Sequence, residues 1–265
     1  RALARSPRLT GAKVIAALTQ SGTHPDLDSM LIVLCELGRR AGDASQYLSD
    51  QLTRHDTGQE TRGKIGAALV NTGQDRSANM KALTAAVSST NNVGRGAVGL
   101  MNYVWAGDWA DKGFADALCA WFTTEVDAAA SAREKPPGRF SDYISNEASV
   151  LGGIGEMARS AVPSLERAIV LAEKGKLPAN LIISCGVALA NIDRAAETVH
   201  LRRVAKYVGG PLFGDHTDST VLMLTANRVD SGMVAVLSGM LSDADPEVVA
   251  GAAFMLASKG LAAEK

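Results

Sequence analysis

Apolar residues recur at helical spacing along nearly the whole chain, and the stretches that carry them come in pairs. Residues 8–21 hold Leu9, Val14, Ile15 and Leu18, and residues 27–38 hold Leu27, Leu31, Leu34, Cys35 and Leu37 on or near one stripe. Recurrence at i, i+3, i+4 and i+7 predicts amphipathic helices that bury one side only. A turn at 39–43 leads into a second helix with Tyr47, Leu48 and Leu52. The same pattern predicts pairs at 60–72 with 78–87, 93–106 with 112–124, 144–158 with 161–173, 178–191 with 195–208 and 218–227 with 232–241. Residues 246–258 are left as half a pair. The strand-type alternation of apolar and polar residues is weak throughout, so the chain reads as all-α.

A small residue sits in phase along these helices. Gly66 and Gly99 are 33 residues apart, Gly152 and Gly186 are 34 apart, and Ala253 lies 67 beyond Gly186, two steps of the same size. One step back from Gly66 reaches Ile32. The misfit is the 53-residue gap from Gly99 to Gly152, which points to an insertion at about 127–142. Within it, Arg133-Glu134-Lys135-Pro136-Pro137-Gly138-Arg139-Phe140 combines paired prolines with charges, which oppose a continuing helix and predict a protruding loop. Pro25, Pro178 and Pro246 fall at one place in the phase, the first turn of a first helix, where a missing N–H is harmless. Asp245 is the expected N-cap before Pro246, with Glu247 favourably close to the helix N-terminus. Self-similarity near this period means stacked helix pairs, each unable to bury its apolar face alone.

Residues Asp243-Ala244-Asp245-Pro246-Glu247-Val248-Val249-Ala250-Gly251-Ala252-Ala253-Phe254-Met255-Leu256 resemble the start of a HEAT repeat of the short bacterial, phycobilisome-lyase-like type. Ala161-Val162-Pro163-Ser164-Leu165 resembles that family's second-helix opening, and Met233-Val234-Ala235-Val236-Leu237 is a looser copy. The resemblance extends over roughly residues 27–260 and is strongest after Ile144. A period near 34 also suits tetratricopeptide repeats, but their Trp, Gly-Tyr and Pro signature positions do not recur here. The resemblance implies a right-handed α-solenoid of about six antiparallel helix pairs with partial repeats at both ends, as one domain over residues 1–265. Such a stack offers a concave surface lined by second helices and suited to extended partners. The implied function is a non-enzymatic interaction scaffold or adaptor for a protein or peptide, needing no cofactor. Within the same resemblance, one alternative is a bilin chromophore lyase or lyase subunit, and another is a HEAT-like DNA-binding or glycosylase protein. Repeats of this kind specify architecture, not activity.

Composition narrows the partner. A net charge of −1 supplies no bulk attraction to nucleic acid or anionic membrane, and no apolar run reaches the length of a membrane span. Cys35, Cys119 and Cys185 are an odd, scattered set, each in an apolar helical stretch. That argues for buried thiols in a reducing, cytoplasmic setting rather than a disulfide framework. The chain begins at Arg1 instead of Met, which reads as a fragment or processed form of a longer polypeptide.

Candidate chemistry is thin. His24, His55, His200 and His216 form no i, i+4 pair and neighbour no Cys at ligand spacing, so they read as ordinary surface or loop histidines and no metal site is expected. No His-Glu dipeptide of the metal-dependent hydroxylase kind is present. Gly152-Gly153-Ile154-Gly155 lies inside a predicted helix with no preceding strand, which suits helix packing rather than a phosphate cradle. Arg39-Arg40 and Arg202-Arg203 read as solvated helix ends, or as contacts for a partner's acids if they share a groove. Aromatics concentrate between Tyr103 and Tyr143, including Phe114, Trp121 and Phe122. They form either a local core around the insertion or a recognition surface. On the second reading the binding residues are Trp105, Trp109, Arg139, Phe140 and Tyr143, since Trp, Tyr and Arg dominate interface hot spots.

Overall fold

The computed structural model describes residues 10–20, 37–53, 110–132, 138–210 and 231–263, together with positions 30, 31, 33, 34, 65, 68, 69, 72, 80, 81 and 84. Among the described residues every regular element is helical and none is a strand. The all-α expectation therefore holds. The chain divides into two compact units, residues 1–118 and 119–265.

In the first unit, helix α1 (Gly11–Gln20) starts at Thr10, whose hydroxyl accepts the Lys13 N–H at 3.4 Å. Its first residue has to be small. A β-carbon on Gly11 would stand 2.5 Å from Asp43 Oδ1 and 2.9 Å from the Ala41 carbonyl oxygen. Positions 30, 31, 33, 34 and 37 are helical, and Met30, Leu31, Leu34 and Leu37 are buried. The expected turn at 39–43 is a tight 3-10 segment, Gly38–Ala44, entered through Gly38 at φ +55°. It delivers the chain into α2 (Ser45–Thr53), whose Leu48 is fully buried. Thr72 donates its hydroxyl to the Leu69 carbonyl at 2.9 Å, so Ser45 must be the donor in the 2.9 Å Ser45–Thr72 hydroxyl pair.

Helix α3 (Lys112–Ser131) is capped by Asp111, whose Oδ1 accepts the Phe114 N–H at 2.8 Å. The division between the two units falls inside this helix, after Leu118. The bounds of the protruding loop expected over 127–142 are corrected here, since both ends of that range are helical. The helix continues through Ala128, Ala129 and Ala130 to Ser131, and the next one, α4 (Gly138–Ile154), is already under way at Arg139. Three consecutive alanines are the strongest helix formers available, and they extend the helix past the point where the period breaks. The prolines Pro136 and Pro137 lie outside the described residues.

The second unit is built around α6 (Leu181–Ile192), all twelve of whose residues are buried. A helix apolar on every side must be surrounded. Here α4, α5 (Val162–Glu173) and α7 (Glu197–Gly209) all pack on it. Gly152 and Gly186, which share a phase in the sequence, serve two different approaches. A β-carbon on Gly152 would lie 2.8 Å from the Ala188 Cα, where α4 meets α6. One on Gly186 would lie 2.3 Å from Val204 Cγ2, where α6 meets α7.

The turns are set by glycine and polar caps. Gly155, at φ +69°, ends α4 and opens a second 3-10 segment, Gly155–Ala161. The Gly152–Gly155 run is therefore half packing surface and half helix stop, where a wholly helical reading was expected. Gly175, at φ +71°, closes α5, with its N–H on the Ala172 carbonyl at 2.9 Å and the Lys176 N–H on the Leu171 carbonyl at 2.9 Å. That is the paired-bond stop of a left-handed C-cap. Pro178 lies before α6 rather than in its first turn, and its carbonyl accepts the Leu181 N–H at 3.1 Å.

Helices α8 (Ser231–Gly239) and α9 (Pro246–Ala263) join α6 and α7 in one core. It contains Ile183, Val187, Val204, Val208, Met233, Leu237, Val248 and Met255. The helix that the sequence leaves as half a pair at 246–258 is α9, which lies along α7 in close contact. A β-carbon on Gly251 would stand 1.8 Å from the Ala205 carbonyl oxygen, and one on Gly209 would stand 1.9 Å from that of Glu247. Ala253, placed in phase with Gly186 by the sequence, is exposed. The small residue that matters in this helix is Gly251.

Candidate functional site

The five residues expected to bind a partner are not brought together by what the structure describes. Trp105 and Trp109 lie outside the described residues. Arg139, Phe140 and Tyr143 belong to the first turns of α4, and their side chains lie outside the description. The aromatic-rich region is nonetheless partly resolved into roles. Phe114 and Phe122 are fully buried, so for these two rings the local-core reading holds. Trp121 is half-buried, and its indole N–H reaches Glu125 Oε1 at 3.4 Å.

The most developed polar arrangement in the second unit lies on α5 and α7. On α7 the core face is Leu201, Val204, Ala205 and Val208, and His200 shares that face, which is why it is buried rather than at the surface. His24, His55 and His216 lie outside the described residues. His200 Nδ1 sits 3.4 Å from Glu166 Oε1. The other Glu166 oxygen accepts Arg203 Nη1 at 2.9 Å, and Arg203 also gives Nε and Nη2 to Glu173 Oε1 at 3.0 and 2.8 Å. His200 Nε2 is buried with no hydrogen-bond partner. Beneath this group the Cys185 thiol is fully buried, and burial, reinforced by the Glu166 charge, pushes its pKa far up. Cys185 stays a protonated thiol and a packing residue. Cys119 is likewise buried and unbridged, with its sulfur 3.7 Å from the Ala158 carbonyl oxygen.

The Arg202-Arg203 pair, expected at a solvated helix end or on a partner's acids, is engaged within the chain. Arg203 grips α5, and Arg202 forks onto Asp243 with Nε–Oδ2 at 2.9 Å and Nη2–Oδ1 at 3.0 Å. Lys206 reaches Asp245 Oδ2 at 2.9 Å. Similar ties recur along the unit at separations of 34 to 41 residues. Arg167 pairs with Asp127, 40 residues away, and Arg159 with Asp193, 34 away at 3.5 Å. Thr123 and Ser164, 41 apart, share a 2.7 Å hydroxyl bond. The sequence carried this signal as opposite charges spaced by 34 to 41 residues, but a search for motifs within single helices passes over it. Chemically the arrangement neutralises its own charges, helix against helix. Among the described residues no group of three or more His, Cys, Asp or Glu is placed to hold a metal ion. No described helix is long and apolar enough to cross a membrane.

The Asp245 cap is formed as expected, with Oδ1 accepting the Glu247 N–H at 3.1 Å. Asp243 is held further still. The Arg202 fork, and after it the Asp245 N–H at 2.9 Å, bring its carboxyl down to about 2. An unfolded Asp titrates near 3.9, to order of magnitude. A group whose folded value is the lower one contributes stability above the unfolded value and loses it as pH falls through the folded one. Asp243→Asn is therefore expected to flatten the acid limb of the stability profile between about pH 4 and pH 2. Parallel acid limbs for parent and variant in denaturant melts would contradict this.

Compared with known protein families, curated proteins and solved structures, the chain matches none.

Proposed function

We propose that this chain is a non-enzymatic scaffold or adaptor, an α-solenoid of HEAT-like helix pairs that holds a protein or peptide partner. One observation carries the reading. In the second unit the charged side chains of α5 and α7 are spent on tying alternate helices together, Arg203 to Glu166 and Glu173, and Arg202 and Lys206 to Asp243 and Asp245 at the entry to α9. With the apolar core that these helices share, the ties favour a preformed helical surface, which is what a scaffold needs to keep the entropy loss of binding small. Apolar side chains remain on its outside, notably Val199 at 68% and Leu241 at 43% exposure. The partner-binding residues proposed are Trp105, Trp109, Arg139, Phe140 and Tyr143.

The test is a pull-down from the source cell with the full chain and with the Arg139→Ala/Phe140→Ala double variant. The variant should keep its helical signal and melting temperature and lose about tenfold in partner affinity, as hot-spot truncations do. A variant that is clearly destabilised, yet binds at full strength once folded, would place those side chains in the core and remove the recognition role.

A further inference from the structure

The ties between α7 and α9 differ from the others in what they hold. Asp243 and Asp245 each do two jobs. Asp243 Oδ1 accepts the Asp245 N–H at 2.9 Å, and Asp245 Oδ1 accepts the Glu247 N–H at 3.1 Å, so the two carboxylates shape the entry into α9. The same carboxylates receive Arg202 and Lys206, one helical turn apart on α7. Glu247 adds a longer contact, 4.0 Å from the Lys206 nitrogen. The partners are unequally sheltered. Side-chain exposure is 47% for Arg202 and 55% for Lys206, against 18% for Asp243 and 21% for Asp245. The acids are the sheltered partners, while the cations reach in from solvent and can leave.

We propose that Arg202 and Lys206 form a salt-responsive latch that fastens the segment entering α9, Asp243 to Asp245, onto α7. From Glu247 onward the helices are held by the close approaches of Gly209 to Glu247 and of Gly251 to Ala205, and by the shared apolar core, which includes Val248. Screening therefore loosens the entry of α9 without undocking the helix. The screening length shrinks from about 30 Å at 0.01 M salt to about 3 Å at 1 M, enough to weaken half-exposed pairs.

The test is amide hydrogen exchange on the full chain at one pH, in about 0.01 M and about 1 M sodium chloride. The Asp245 and Glu247 amides are expected to exchange roughly threefold faster at high salt, the scale set by exposed ion pairs. Amides of Val187 and Leu189 in the buried α6 serve as the reference and should not change. In Arg202→Gln/Lys206→Gln the two reporter amides should exchange at the faster rate at both salt concentrations. Lys206→Gln alone keeps the Arg202 fork, and should free Glu247 while leaving Asp245 protected and salt-sensitive. A parent whose reporter amides ignore salt, or a double variant that still responds to it, overturns the latch.

Discussion

Gly251→Ala is expected to destabilise the protein by about 2 kcal/mol or more in denaturant melts, although alanine is the better helix former by about 1 kcal/mol. The added methyl would meet the Ala205 backbone at 1.8 Å from its oxygen and 2.6 Å from its carbonyl carbon. A flexible side chain could swing away, but a backbone carbonyl inside a helix cannot, so α7 and α9 would have to separate. Separation would open the core that these helices share with α6 and α8. Gly239→Ala is the matched control. Gly239 has ordinary helical angles, and a β-carbon there meets nothing within 4 Å. This change should be neutral or stabilising by up to about 1 kcal/mol. Equal stability of the parent and Gly251→Ala would show that the two helices do not approach as closely as described.

The second large effect is expected at Phe122→Ala, a loss of about 3–5 kcal/mol. Phe122 is fully buried, and so is Val126, one turn further along α3. Removing the ring leaves a void that well-packed neighbours fill only in part. The measurement is the equilibrium unfolding free energy by denaturant titration. A loss below about 1 kcal/mol would mean that the ring is not enclosed and that the aromatic-rich region is surface after all.

How much of this was legible in the sequence depends on whether the signal was local. The periodicity of Leu48, of Leu165 with Ile169, and of Leu201 with Val204 and Val208 located helices, and each of these residues is buried. The Asp245 cap and the close packing at Gly152 and Gly186 were likewise readable, because a cap or a missing side chain acts within one or two turns. What failed was neighbour assignment. A period tells which residues share a helix face but not which helix comes to meet it. Counting therefore led to Ala253, while the α7 backbone meets Gly251. The polar group around Glu166, His200 and Arg203 was hidden for the same reason, since its members lie 34 to 37 residues apart and look unremarkable one at a time.

One regularity was present in the letters and easily overlooked. Gly38-Arg39-Arg40-Ala41-Gly42-Asp43-Ala44 and Gly155-Glu156-Met157-Ala158-Arg159-Ser160-Ala161 are the same turn, found among the described residues of both units. Each opens on a positive-φ glycine, at +55° and +69°. Each places a fully buried alanine at its fourth and seventh positions, and the fourth leaves helical angles at ψ near 15°. The spacing Gly-x-x-Ala-x-x-Ala is thus the corner by which this chain joins helices closely, because larger side chains at those alanines would hold the helices apart.

The ties across the second unit also govern how it is made. Asp127 with Arg167, Glu166 with Arg203 and Arg202 with Asp243 span 40, 37 and 41 residues, and none reaches further along the chain. Chains dominated by such short separations close small loops and fold quickly, on the microsecond to millisecond scale typical of helical domains. Each helix of the second unit can thus find its ion-pair partner once about 40 further residues have left the ribosome.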